Sequence, residues 1–205
     1  MERGDQGEEG RRAAHGWASR GFWIATAAIV LAGGFLRFQS LDSGLPHPRT
    51  RPDESRLIQR TELPARGEFD LNWTVYPSAY VYLHWLWGEA GLWVGQKLDR
   101  LPPDDYVTTL RESPATILLI DRALSAGVGT LTVLLVILLT RRELGQVPAL
   151  LAGLLLATNF LHARDSHAAK TDVLLAFWVV VALAAMLPLA RRATVRGGAV
   201  AGLAT

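Results

Sequence analysis

Apolar and polar residues are segregated along the chain. Three stretches carry no charged side chain: Ala123–Thr140 with 18 residues, Leu144–Ala163 with 20 and Val173–Ala190 with 18. At about 1.5 Å rise per residue, each approaches the length needed to cross a hydrocarbon core of about 30 Å. A fourth stretch, Gly21–Leu36, has 16 residues and is closed by Arg20 and Arg37. Both arginines can snorkel to the interface, and Phe38 and Leu41 extend the run to a spanning length. The pattern predicts an all-α integral membrane protein with four transmembrane helices and a long first loop carrying interfacial helices. The expected layout is a tail over 1–20, helices over 21–41, 114–140, 147–163 and 172–190, and loops over 42–113, 141–146 and 164–171. Residues 191–205 form a final loop and the possible start of a fifth helix.

The short loops set the orientation through their Lys and Arg. Nine fall on the side of the N-terminal tail (Arg3, Arg11, Arg12, Arg20, Arg141, Arg142, Arg191, Arg192, Arg196) and two, Arg164 and Lys170, on the other. This places the N-terminus in the cytoplasm, in a plasma-membrane protein whose long loop and 164–171 loop face outward. Leu71–Gly88 is also free of charge for 18 residues, but counting it as a crossing cancels the bias. Eight of the chain's 11 Trp and Tyr lie between Trp73 and Tyr106, as suits segments lying in the headgroup layer, with a packed aromatic loop domain as the second reading.

Composition then removes whole classes of chemistry. Zero Cys excludes disulfide frameworks, thiolate metal sites and thiol nucleophiles together. A net charge of +2, with 19 Arg and 2 Lys spread over many loops, leaves no concentrated footprint for nucleic acid. A soluble enzyme is excluded by the apolar runs. No small-x-small cleavage pattern follows Leu36, so the first run reads as an uncleaved helix and not as a signal peptide.

Three polar clusters gather on the outer side. Arg51-Pro52-Asp53-Glu54-Ser55-Arg56 follows a Gly/Pro-rich run, and its plain structural reading is a helix start, with Pro first and acids at the positive end of the dipole. Asp121 and Arg122 lie about 10 Å below the outer surface on the helix that begins at Ser113-Pro114. Intramembrane ionisable residues mark function by default, although both can equally pair with other helices for assembly. The third cluster runs from His162 to Asp172 and holds His167, Arg164 and Lys170, a crowding of positive charge on the disfavoured side that suits an anionic ligand. Two His five residues apart share no helical face, so zinc has no spacing support, and Asp172 also reads as first-turn dipole compensation.

In order and sidedness these features resemble the dolichyl-phosphate-mannose protein mannosyltransferase superfamily, which includes bacterial aminoarabinose transferases and has the GT-C membrane fold. The resemblance rests on Asp53-Glu54, Tyr76-Pro77 before an aromatic run, Arg122, the small-residue run Leu124–Thr130, and Lys170-Thr171-Asp172. It spans about Arg20 to Arg192. The chain lacks the family's His-Pro-Pro element and has fewer helices than its members, so it is expected to be the N-terminal part of a longer enzyme, with 205 residues insufficient for activity alone.

The resemblance implies transfer of a sugar from a polyprenyl-phosphate carrier to a protein or a lipid or glycan acceptor at the outer face, with inversion. It implies Asp53 as catalytic acid-base. Glu54 sets the position of Asp53, and Arg122, Arg164, Lys170 and His167 meet the phosphate. A divalent cation is compatible, with Asp172 as a ligand, although no spacing requires it. The competing readings are a transporter or lipid-handling protein, with Asp121 and Arg122 along its pathway, and a catalytically silent membrane scaffold.

Overall fold

The computed structural model describes residues 3–47, 51–74 and 76–192, with side chains for 20–47, 51, 53–74 and 76–187 of these. The described residues form eight helices: α1 (Arg3–Phe38), α2 (Pro52–Ala65), α3 (Ser78–Lys97), α4 (Tyr106–Glu112), α5 (Pro114–Leu144), α6 (Gln146–Ala157), α7 (Phe160–Ser166) and α8 (Thr171–Arg192). No strand occurs among them. The possible fifth spanning helix beyond Arg192 lies outside the described residues.

The hub is α5. It starts where Ser113-Pro114 predicts, with Pro at the first helical turn, and ends at Gly145, whose φ of +95° favours glycine. Gly145 is the whole connection to α6, so the expected 141–146 loop shrinks to a single residue between two antiparallel helices. Against α5 pack α1, α6 and α8, and at its other end α3, α4 and α7. Small residues permit the close approach that drives helix association in lipid. A Cβ on Gly153 would overlap the Ile137 side chain, and one on Gly33 would press on Ala157.

Two helices are long and apolar enough to span a membrane, Arg20–Phe38 and Pro114–Leu144. A third span arises if α6 and α7, bent by 58° at Thr158-Asn159, count as one. The apolar part of α8, Thr171–Leu187, is shorter than such a span. Outward faces are apolar: Ile24, Leu31 and Phe35 of α1, Leu151 and Leu155 of α6, and Trp178, Leu183 and Met186 of α8 are all exposed. Such a surface suits lipid rather than water.

The expected straight helix over 147–163 is a bent pair for a reason supplied from α1. Arg37 does not snorkel outward; it is 0% exposed. Its guanidinium donates to the Ala157 carbonyl at 3.1 Å, at the end of α6, and at 3.0 Å to the Leu156 carbonyl, which also accepts from the Asn159 amide. Asn159 Oδ1 then accepts from the His162 amide at 2.9 Å and caps the new helix α7.

Buried apolar residues form three clusters. Phe22, Val133, Ile137, Ala149 and Ala157 lie between α1, α5 and α6. Ile58, Leu92, Tyr106, Leu110, Ile117 and Leu118 lie between α2–α4 and the opposite end of α5, and Leu57, Leu71 and Val81 join α2 to α3. Residues 71–74, 76 and 77 lie outside any helix, so no helix runs continuously across 71–88.

Candidate active site

The two acids at the start of α2 take opposite directions. Successive helical side chains leave about 100° apart, so a helix lying on the bundle turns one inward and the other outward. Glu54 is 0% exposed, whereas the Asp53 side chain is 54% exposed.

Glu54 is held from α5, from the segment before α8 and from the residue before α2, where Arg51 Nη1 lies 3.7 Å from Oε1. Arg122 of α5 donates from Nε to Oε1 at 3.0 Å and from Nη2 to Oε2 at 2.7 Å, a bidentate charge-assisted pair. The Ala169 amide, just before α8, donates to Oε1 at 2.8 Å. The remaining terminal nitrogen of Arg122 donates to the carbonyls of Leu41 at 2.5 Å and Ser43 at 3.0 Å. One ion pair thus gathers the segment after α1, the start of α2, the middle of α5 and the approach to α8. Arg122 is 1% exposed, and its guanidinium is engaged by protein groups.

Asp53 faces a cleft of about 300 Å³ lined by Arg56, Gln59, Arg60, Trp73 and Tyr76. Arg60 stacks over the Trp73 ring at 5.6 Å, and Trp73 meets Tyr76 edge to face at 5.3 Å. Lys170 Nζ lies 3.9 Å from Asp53 Oδ2. The cleft therefore offers one open carboxylate with two arginines and aromatic walls, and Lys170 adds a cation beside Asp53, outside the cleft lining. Arg56 and Arg60, three and seven residues after Asp53, share its helical face. That spacing signals them in the sequence.

Other residues picked from the sequence are distributed differently. The ring of His167 donates from Nε2 to the Leu36 carbonyl at 2.7 Å, and its own carbonyl accepts from Arg51 at 2.8 Å, so His167 ties α1 to α2. Arg164 pairs with its neighbour Asp165 at 2.9 Å and does not line the cleft. Asp172 is exposed in the first turn of α8. The Tyr80 phenol is pushed up from its ordinary range by burial first and by the negative charge of Asp172 second. Among the described residues no three His, Asp or Glu side chains converge.

The helices define a membrane protein. Residues 109–205 match the family of dolichyl-phosphate-mannose-protein mannosyltransferases, in keeping with the resemblance carried by the motifs. The match covers slightly under half of the chain. It contains Arg122, Lys170 and Asp172 and begins after Asp53 and Glu54. No curated protein and no solved structure matches the chain.

Proposed function

We propose that the chain forms the acid-bearing part of a GT-C-type transferase that moves a sugar from a polyprenyl-phosphate carrier to a hydroxyl acceptor. The observation that carries this reading is the exposed Asp53 in a cleft with Arg56 and Arg60, with Lys170 beside it and an acid engaged by Arg122 next to it. Ionised Asp53 accepts the proton of the acceptor hydroxyl as its oxygen attacks the anomeric carbon. The bond from that carbon to the phosphate oxygen breaks, and the electron pair leaves with the carrier phosphate. Arg56, Arg60 and Lys170 meet the charge that develops on this leaving group. Attack opposite the leaving group inverts the anomeric centre. Trp73 and Tyr76 supply aromatic surface for the sugar ring.

The positive-inside count supports an outward-facing cleft at headgroup depth, with the N-terminus in the cytoplasm of a plasma-membrane protein. α2–α4 are the interfacial helices of the first loop, and α6 with α7 and α8 complete four crossings. The transporter reading relies on Asp121 and Arg122 facing water, and they are 0% and 1% exposed. Asp53-dependent release of sugar from a polyprenyl-phosphate donor by the full-length protein tests the proposal. Turnover that is indifferent to Asp53 contradicts it.

A further inference from the structure

His84 and Asp121 form a second buried ionisable pair that the proposed chemistry does not use. Both are 0% exposed, His84 on α3 and Asp121 on α5, with Nδ1 and Oδ1 3.4 Å apart. Neither side chain makes a hydrogen bond to any group among the described residues, so their contact is one of charge and proximity without hydrogen-bond geometry. Such a pair costs desolvation that two apolar side chains avoid, so it is a poor device for stability alone.

Its neighbours show what it does. Ile120, Asp121 and Arg122 are consecutive, and each docks on a different partner. The Ile120 carbonyl accepts from Trp87 Nε1 of α3 at 2.8 Å. The Ile120 side chain fits over Gly91 of α3, where an added Cβ would come within 2.5 Å of it. Asp121 meets His84 one turn earlier on the same helix, and Arg122 turns onto Glu54 of α2. Meanwhile α3 is packed to α2 through Leu57, Leu71 and Val81. The three helices close a triangle in which the rotation of α5 about its axis decides where Arg122 points. Because successive helical side chains differ by about 100°, a modest rotation withdraws the guanidinium from Glu54.

We propose that His84 is a positioning residue, which by engaging Asp121 fixes the rotation of α5 and so delivers Arg122 to Glu54. The proposal rests on the geometry of the candidate site and goes beyond the transferase reading, since the experiment below contains neither donor nor acceptor.

The test is hydrogen exchange at Arg122 Nε, followed by NMR in the full chain labelled on arginine nitrogen and assigned by the signal lost in Arg122→Lys. The Nε–H donates to Glu54 at 1% exposure, and it should exchange slowly in the wild type. His84→Phe keeps a ring of similar size without the nitrogen, and it should speed that exchange at least about tenfold by easing local opening. His84→Gln retains a donor and should stay within about threefold of wild type. Ile137→Ala, in the core cluster between α1, α5 and α6, should lower the melting temperature without speeding exchange at Arg122. Unchanged exchange in His84→Phe, or equal acceleration by Ile137→Ala, overturns the proposal. If His84→Phe fails to fold, Asp121→Leu decides, since it removes the same contact from its α5 side, and slow exchange in that variant also overturns the proposal.

Discussion

Glu54 and Arg122, 68 residues apart in sequence, form a bidentate ion pair in which both side chains are 1% exposed. Removing one partner of a buried pair strands the other charge, at a cost of about 3–5 kcal/mol. Glu54→Gln and Arg122→Ala should therefore lower the melting temperature in detergent sharply, whereas Asp53→Asn, at the open neighbour, should shift stability by less than about 0.5 kcal/mol. Equal melts for Glu54→Gln and Asp53→Asn would show that the pair contributes little to folding. On this geometry Arg122→Ala weakens carrier binding by loosening the site, not by removing a direct phosphate ligand.

On the proposed reading, phosphate recognition falls to the face of α2. Arg56→Ala and Arg60→Ala should each weaken binding of a polyprenyl phosphate about tenfold or more, the scale of one charge-assisted hydrogen bond. Arg111→Ala, whose guanidinium pairs with Glu62 at 2.6 Å outside the Asp53 cleft, is the control. Titration into lipid nanodiscs reads all three affinities. Equal affinity for Arg56→Ala, Arg60→Ala and wild type would move the phosphate elsewhere.

Much of this arrangement could be read from the chain before folding, and what could not was decided by distant partners. The start of α5 was legible because Ser113 and Pro114 act locally, and the apolar runs fixed the helical class. The bend between α6 and α7 was not, since Arg37 comes from more than a hundred residues away to take the α6 carbonyls. Asp53 and Glu54 look alike in sequence; only Arg122 and the Ala169 amide select Glu54 for burial. His84 stood unnoticed in an aromatic loop because a lone histidine there carries no spacing signal.

Alkaline stability should depend on Tyr106. This phenol is 3% exposed and shares a hydrogen bond with Thr61 at 2.7 Å. Its pKa is pushed up, first by burial and next by the negative charge of Asp121. The folded state therefore holds the proton after the unfolded state has begun to release it. Stability from this group is fully present below about pH 10, the ordinary tyrosine value, and falls above it by at most about 1.4 kcal/mol per pH unit. Melting curves from pH 8 to 11 should show a steeper alkaline decline for wild type than for Tyr106→Phe. Parallel declines would contradict the assignment.

Sidedness can be read by thiol labelling, because the chain contains no Cys. Cysteines at the exposed positions Ser78 and Ser113 should react with an impermeant reagent from outside the cell, and one at Gln146, beside the α5–α6 turn, should not. Labelling of Ser78 and Ser113 from opposite sides would make α3 a crossing and separate the cleft from the outer surface.

The central claim is that Asp53 is the base and Glu54 its anchor. Asn matches Asp in shape and can still accept a hydrogen bond at a helix start, but it cannot take a proton from a hydroxyl. The most direct measurement is the rate of sugar transfer from a polyprenyl-phosphate donor by the full-length protein carrying Asp53→Asn, with Asp70→Asn, an exposed acid of the same loop, alongside. The account predicts a loss of roughly 10²-fold or more for Asp53→Asn at unchanged melting temperature and near-normal activity for Asp70→Asn. Transfer by Asp53→Asn at close to the wild-type rate would contradict it and leave the acid pair as the start of a helix.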